Sequence, residues 1–273
     1  MSAETSVLLV GFGNMGQALV KGLLERGRSP HAIHVVDPEP AAVDAARRLG
    51  VGAAPALSAV DRDPSPGVVL LAVKPAQLGG VLGECRPFVG RGSLFLSIAA
   101  GKPIAALTRV LGPDAAVVRA MPNTPAAIGR GMTVLTANRR VSGSQRAMAE
   151  DLMAAVGAVE WVDDEALMDP VTAVSGSGPA YVFLLVECLA AAGVAAGLDR
   201  ALATRLATVT VAGAGAYAEL SGEDAAELRR RVTSPGGTTE AALGVLMGED
   251  GLGPLLERAV AAATARSRAL SEA

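Results

Sequence analysis

The chain has 273 residues, of which 51% are hydrophobic and only 3% aromatic, so it can form two domains with cores of Ala, Val and Leu. Its net charge of −3 argues against nucleic acid as a main partner. Two histidines (His31 and His34) and two isolated cysteines (Cys85 and Cys188) exclude histidine-dependent triads, disulfide frameworks and multi-histidine metal sites. We therefore predict no metal, and chemistry that uses hydroxyls, Lys, Tyr, carboxylates or a cofactor.

A glycine-rich loop follows the first predicted strand, residues 6–10, and leads into a helix. This strand–turn–helix setting gives the G-x-G-x-x-G pattern its meaning. Gly11 makes the turn, Gly13 lets a pyrophosphate approach, and Gly16 lets the helix pack on the strand. We predict that a dinucleotide is bound by Gly11, Phe12, Gly13, Asn14, Met15 and Gly16.

An acidic residue, Asp37, ends the second predicted strand, residues 33–36. A carboxylate at this place usually holds the adenosine ribose hydroxyls. It would also repel a 2′-phosphate, and residues 38–40 supply no cation, so Asp37 favours NADH or mixed use of NADH and NADPH. A cap for the next helix is the structural alternative for Asp37, and a shifted loop could still bring Arg47 or Arg48 inward.

Further strands are predicted at residues 51–54, 68–72, 93–97 and 116–120, with helical or loop segments between them. This alternation predicts an α/β fold with a doubly wound, Rossmann-type parallel sheet. A short strand at 133–135, a helix near 142–156 and a strand at 159–161 complete it. We predict a dinucleotide-binding domain at 1–163 and an all-helical substrate-binding and dimerisation domain at 164–273.

The carboxyl ends of the middle strands are the expected rim of the nicotinamide pocket, because ligands bind there in such sheets. Lys74 could reach the cofactor or an acid group of the substrate, or be a surface charge before a helix. Asn123, between two prolines, could contact the carboxamide or form a plain turn. The predicted contacts are Ala72, Val73, Lys74, Pro75, Ala99 and Asn123.

The turn at residues 232–240 lies between two helical patterns and contains Ser-Pro-Gly-Gly-Thr-Thr. Free N–H groups at a positive helix end would make a small anion site, with Thr239 close to a neighbouring atom of the same ligand. An ordinary helix start is the alternative.

The second domain has predicted helices at 167–174, 180–197, 199–221, 222–231, 239–247 and 252–270, with a small-residue hinge at 175–179. Residues 180–197 are apolar but contain Glu187, so we predict a packing helix through which the chain forms a homodimer, rather than a membrane span. Without a secretory signal pattern, we predict a cytoplasmic location.

Five segments resemble the pyrroline-5-carboxylate reductase family, and the resemblance covers almost the whole chain. They are residues 11–16, 72–75, 121–125 and 175–180 and, most specifically, 232–249, which is similar to the family's C-terminal signature.

The resemblance implies NADPH- or NADH-dependent reduction of 1-pyrroline-5-carboxylate to L-proline, the last step of proline biosynthesis. It implies that Thr239 hydrogen-bonds the ring nitrogen or its proton, and that interlocked dimers often assemble into decamers. Many members prefer NADPH and carry small or basic residues after the second strand, from which Asp37 departs. The implied contacts to the substrate carboxylate are Ser234, Pro235, Gly236, Gly237 and Thr238.

Hydride transfer to an iminium ion needs little acid help, which fits a chain with no well-placed general acid, although Tyr181, Tyr217 and Lys74 remain candidate donors. A related imine reductase is one alternative function. A β-hydroxyacid dehydrogenase is another, but it would need a lysine within residues 167–197, where there is none. A non-catalytic NAD(H)-binding sensor would need the glycine loop but not the Ser-Pro-Gly-Gly-Thr-Thr turn.

Overall fold

The computed structural model describes residues 5–61 and 63–272 and forms two compact units. The first unit contains the chain up to Gly176 together with the segment from Thr264 onward, and the second contains residues 177–263. The predicted domain ranges, 1–163 and 164–273, differ from these units at both ends of the helical part.

The first unit is built on one sheet, whose described strands have the order β3-β2-β1-β4-β5-β6-β7-β8. Neighbouring strands are parallel except β6 and β7. The strands are β1 (Val7–Val10), β2 (Ile33–Val36), β3 (Gly52–Ala54), β4 (Val68–Leu71), β5 (Leu94–Ser97), β6 (Ala116–Met121), β7 (Gly131–Ala137) and β8 (Gly157–Trp161).

The antiparallel β7 is a finding that the predicted parallel sheet did not include, and β7 is also longer than the predicted strand at 133–135. Its direction follows from its connection. Residues 122–130 contain only the short 3-10 turn Thr124–Ile128, and a parallel crossover needs a dozen or more residues.

Helices cover both faces of the sheet. Leu19 and Leu23 of the first helix pack on one face, and Leu82 and Leu107 pack on the other. All residues of β1 and β4 are buried, as expected for strands covered on both sides. The helices of this unit are α1 (Asn14–Glu25), α2 (Pro40–Arg48), α3 (Leu78–Cys85), α4 (Ile104–Leu111), α5 (Gly143–Ala154) and α6 (Met168–Val171).

A partly buried ion pair joins β6 to the segment before α6. The Arg119 side chain is 5% exposed, and its Nη1 donates to Glu165 Oε1 at 3.0 Å. The same oxygen accepts the Ile104 N–H at 2.8 Å. One carboxylate thus fixes a buried cation and the start of α4.

The predicted hinge at 175–179 contains a bend at Ser177, where the second compact unit begins. After α6 the chain forms a π-helix over Thr172–Gly176 and then begins α7. π-helical turns are rare and occur often at functional sites.

The second unit is helical, as predicted. Asp199 caps α8 by accepting the N–H groups of Ala201 and Leu202, and Asp224 caps α9. The remaining helices are α7 (Gly178–Ala195), α8 (Arg200–Ser221), α9 (Ala225–Arg231), α10 (Thr238–Leu246) and α11 (Leu252–Glu272), the last of which continues into the first unit.

Helix α7 exposes apolar side chains, and it has no buried residue. Among the described residues, one helical segment, Glu165–Ala195, is long and apolar enough to span a membrane by length and composition. A helix that packs against another protein surface has the same composition. The large exposed side chains of α7 are Val182, Phe183, Leu184, Leu185 and Leu189.

Candidate functional site

A cleft of about 390 Å³ lies at the carboxyl ends of β1, β2 and β4 in the first unit. It brings together six of the predicted cofactor contacts, which come from three separate stretches of sequence. These are Gly11, Gly13, Asp37, Ala72, Val73 and Lys74.

The three glycines of the loop have different surroundings. Gly11 has φ +96°, and a Cβ there would lie 2.7 Å from the Ala72 carbonyl group. A Cβ on Gly16 would lie 2.5 Å from the Gly11 oxygen, so α1 can pack on the loop only through a glycine. Gly13 has open space, with no atom within 4 Å of an ideal Cβ.

The N-terminus of α1 is free to receive an anion. Its N-cap is Gly13, which makes no side-chain capping bond, and the first turn contains no acidic residue. The first N–H groups of a helix carry a partial positive charge and have no intrahelical partner. With the open space beside Gly13, this arrangement fits a dinucleotide pyrophosphate.

Asp37 is held in place by two backbone donors, and the N-cap of α2 is Glu39 rather than Asp37. Its Oδ2 accepts the Phe12 N–H at 2.7 Å, and its Oδ1 accepts the Glu39 N–H at 2.9 Å before α2. The carboxylate is therefore held rigidly at the edge of the cleft, with lone pairs left for ribose hydroxyls.

The charges that line the cleft are mostly negative. Glu84 of α3 joins Asp37 there, and Lys74 is the one cation among the lining residues. Arg47 does not line the cleft; its Nη2 donates to the Ala53 oxygen at 3.3 Å. Arg48 does not line it either.

The other predicted cofactor contacts lie outside this cleft. The Phe12 side chain is 1% exposed and belongs to the core, and Met15 packs against the same core. Ala99 is buried, and its N–H donates to Ser97 Oγ at 3.3 Å. The residues that the cleft does not include are Phe12, Asn14, Met15, Gly16, Pro75, Ala99 and Asn123.

The Asn123 side chain is fully used within the protein. Its Nδ2 donates to the oxygen and Oγ of Ser175 at 3.2 and 3.3 Å, and its Oδ1 accepts the Met132 N–H at 2.9 Å. Gly176 of the π-helix packs against Met121 at the end of β6, since a Cβ there would lie 2.5 Å from Met121 Cε. Asn123 thus anchors the π-helix to the end of β6, and its contact with the carboxamide stays a prediction.

In the second unit, the Ser-Pro-Gly-Gly segment forms a tight turn before α10. The Gly237 N–H donates to the Ser234 oxygen at 3.0 Å, and Gly236 has φ +70°. With Pro235 before Gly236, these features define a type II turn. Gly237 is the N-cap of α10 and provides no side-chain cap.

The turn carries free donors, as the sequence predicts. Among the described residues, the N–H groups of Thr238, Thr239 and Glu240 have no acceptor, whereas the Gly236 N–H donates to Glu240 Oε2 at 2.7 Å. Beside the turn, a pocket of about 480 Å³ is lined by Arg229, Arg230, Thr233, Glu240, Leu243, Gly244 and Met247.

Sequence reasoning missed several residues of the cofactor cleft. Residues 55–57 follow β3, so the strand-end rule that identified Lys74 applies to them as well. Gln77, the N-cap of α3, and Val81 and Glu84 of α3 share one helix face at spacings of four and three, but that face is known only once the helix is placed. The missed residues are Val10, Val36, Pro38, Pro55, Ala56, Leu57, Gln77, Val81 and Glu84.

Two family models match the chain. Residues 165–270 match pyrroline-5-carboxylate reductase dimerisation, and residues 6–101 match NADP oxidoreductase coenzyme F420-dependent. The first covers the turn and the helices of the second unit, and the second covers the glycine loop and Asp37.

Named relatives match over almost the full length. A pyrroline-5-carboxylate reductase from Pseudomonas aeruginosa is 43% identical over 269 residues, which is 97% of either chain. A solved pyrroline-5-carboxylate reductase from Coxiella burnetii has a TM-score of 0.92 at 37% identity and covers 98% of both chains. A Plasmodium falciparum pyrroline carboxylate reductase, solved with NADP bound, has a TM-score of 0.83 at 28% identity with the same coverage.

Proposed function

Because the chain belongs to the pyrroline-5-carboxylate reductase family, we propose that it reduces 1-pyrroline-5-carboxylate to L-proline with NADH or NADPH. The observation that carries this proposal is the free helix start of α10, behind the Ser-Pro-Gly-Gly turn, in a chain that also has a dinucleotide cleft. The proposed activity supplies L-proline, and is therefore biosynthetic.

The cofactor provides the hydride, and the protein provides its position and electrostatic surroundings. The N-terminus of α1 would hold the pyrophosphate, with Gly11 and Gly13 giving the backbone room to approach. Asp37 would accept hydrogen bonds from the ribose hydroxyls. Ala72, Val73 and Lys74 line the same cleft and would follow the cofactor towards its nicotinamide end.

The turn before α10 would bind the substrate carboxylate. Ser234, Pro235, Gly236, Gly237 and Thr238 form the proposed binding segment, and the free N–H groups at the start of α10 are its donors. Thr239, in the first turn of α10, would hydrogen-bond the ring nitrogen or its proton. A substrate that arrives as an iminium ion develops no alkoxide, so this hydroxyl can orient it without acting as a strong acid.

The charges of the cleft favour NADH or mixed use of the two nucleotides. A 2′-phosphate beside the ribose would face Asp37, which two backbone N–H groups hold in place, and Glu84 adds a second negative charge to the same cleft. Neither Arg47 nor Arg48 lines the cleft to offset this repulsion.

The chain self-associates through its dimerisation domain. We propose that α7 forms the centre of the homodimer contact, because its exposed apolar side chains need a covering surface. We also propose that the dimers assemble further into a decamer. The proposed location is the cytoplasm, and we propose no membrane or nucleic-acid partner. The full-length similarity to bacterial biosynthetic enzymes is consistent with the location.

Oxidation of NADH and of NADPH, measured in parallel with pyrroline-5-carboxylate as acceptor, tests the function. We expect turnover with both nucleotides and higher kcat/KM with NADH. A strong preference for NADPH would contradict the argument from Asp37 but leave the reductase in place. If neither nucleotide is oxidised with pyrroline-5-carboxylate, the proposed function would be replaced by a related imine reductase or a nucleotide-binding sensor.

Thr239→Ala separates a reductase from a sensor. Thr239 has no part in the cofactor cleft of the first unit, so we expect a fall in kcat of at least tenfold with an unchanged Kd for NADH. Measurement of NADH binding by fluorescence, beside steady-state turnover, gives both values. An unchanged kcat in Thr239→Ala would show that Thr239 has no role in the reaction.

A further inference from the structure

The Gly236 N–H of the substrate turn is occupied by a carboxylate from the same chain. Glu240 Oε2 accepts this N–H at 2.7 Å, a short distance that is typical of a charge-assisted hydrogen bond. Glu240 is the third residue of α10, so its side chain reaches back over the first turn of the helix to the turn that precedes it.

This bond adds to the preference of the Pro-Gly sequence for one orientation of the central peptide of the turn. Type I and type II turns differ by a flip of the peptide between the second and third residues, here Pro235 and Gly236. Gly236, with φ +70°, has the left-handed conformation that type II requires. A flip would exchange the Gly236 N–H for the Pro235 carbonyl oxygen at the same place.

Such an exchange would place an acceptor beside the donors of α10. The free N–H groups at its start belong to Thr238, Thr239 and Glu240, and a neighbouring carbonyl oxygen would repel an incoming anion. Glycine makes the flip easy, because both signs of φ are open to it. The bond from Glu240 opposes the flip.

We propose that Glu240 is a positioning residue for the substrate carboxylate: it holds the Ser234–Gly237 turn in the type II form. The inference rests on the proposed function, because it takes this turn as the carboxylate site. Glu240 acts through the Gly236 N–H and leaves the three free N–H groups of α10 to the substrate.

Three variants test the proposal. Glu240→Ala removes the acceptor, Glu240→Gln keeps an amide oxygen as acceptor without the charge, and Glu257→Ala removes an exposed glutamate of α11 as the matched control. We expect Glu240→Ala to raise the KM for pyrroline-5-carboxylate about fivefold, with kcat and the KM for NADH within twofold of wild type. The fivefold change is about 1 kcal/mol, as expected for an exposed hydrogen bond.

Glu240→Gln should restore the KM to within twofold of wild type, because its side-chain oxygen can accept the same N–H. The proposal would be overturned if Glu240→Gln raised the KM as much as Glu240→Ala does. It would also be overturned if Glu240→Ala left the KM unchanged.

Hydrogen exchange gives a readout that does not depend on turnover. The amide of Gly236 should exchange at least threefold faster in Glu240→Ala than in wild type, and at the wild-type rate in Glu257→Ala. Equal exchange rates of the Gly236 amide in all three proteins would show that Glu240 does not hold the turn. If the wild-type chain does not reduce pyrroline-5-carboxylate, the proposed function fails, while the exchange comparison still decides whether Glu240 holds the turn.

Discussion

The substitution Gly13→Ala should weaken cofactor binding strongly and lower the stability of the fold only slightly. Gly13 has φ −70° and ψ −169°, which alanine adopts without strain, and the new Cβ would meet no protein atom within 4 Å. Alanine is a poorer N-cap than glycine, so we expect a loss of about 0.5–1 kcal/mol. For a chain of this size that is about 1–4 °C in Tm.

Binding should change much more than stability. The space beside Gly13 is where a pyrophosphate would approach the N-terminus of α1, and a methyl group forced into an occupied space costs about 1–3 kcal/mol. The Kd for NADH should therefore rise by about 5- to 150-fold. Titration of NADH, followed by fluorescence or calorimetry, measures this change beside a thermal melt.

Gly79→Ala is the matched control. Gly79 lies in α3, an ideal Cβ there also meets no atom within 4 Å, and it does not line the cleft. Alanine at this second residue of the helix should stabilise the chain by up to about 1 kcal/mol and leave the Kd unchanged. A Kd for Gly13→Ala within twofold of wild type would refute the placement of the pyrophosphate.

Two further predictions concern partly buried polar residues of the first unit. Burial lowers the pKa of His34, whose Nε2 has no partner among the described residues, so the folded state resists protonation and loses stability as pH falls below the unfolded pKa of about 6.5. The decrease in Tm from pH 7.5 to pH 5.5 should therefore be smaller in His34→Leu than in wild type. Equal decreases in the two proteins would contradict this. Glu165→Ala should cost about 3 kcal/mol in urea unfolding, because it leaves the Arg119 guanidinium buried without its carboxylate. A cost below 1 kcal/mol, the size expected for the exposed control Glu160→Ala, would show that the ion pair contributes little.

Features determined by neighbouring residues could be predicted from the sequence. The glycine loop lies between a strand and a helix as expected, β2 has its predicted bounds, and the turn at 234–237 has the conformation that Pro-Gly favours. For Asp37 the sequence offered a ribose-binding residue or a helix cap. In the structure Glu39 is the N-cap of α2, and Asp37 instead accepts two backbone N–H groups at the edge of the cleft, where ribose binding stays a prediction.

Features that depend on distant partners could not be predicted. The amide of Asn123 is used by Ser175 and Met132, and nothing near Asn123 in sequence indicates either partner. The burial of Arg119 depends on Glu165, 46 residues later. By contrast, the bond from Glu240 to Gly236 spans only four residues and could have been considered from the sequence, but only the turn conformation shows which N–H it meets.

The last helix gives the chain a discontinuous first domain. The chain leaves this domain after Gly176 and returns to it at Thr264, where Ser267 Oγ donates to Asp169 Oδ1 at 2.7 Å. Residues 177–263 are thus, in topology, an insertion within the nucleotide-binding domain. A fragment cut at residue 163 would remove the buried Met168 and the C-terminal segment together, so the nucleotide-binding half is better isolated with the residues up to 176 and those from 264 onward both present.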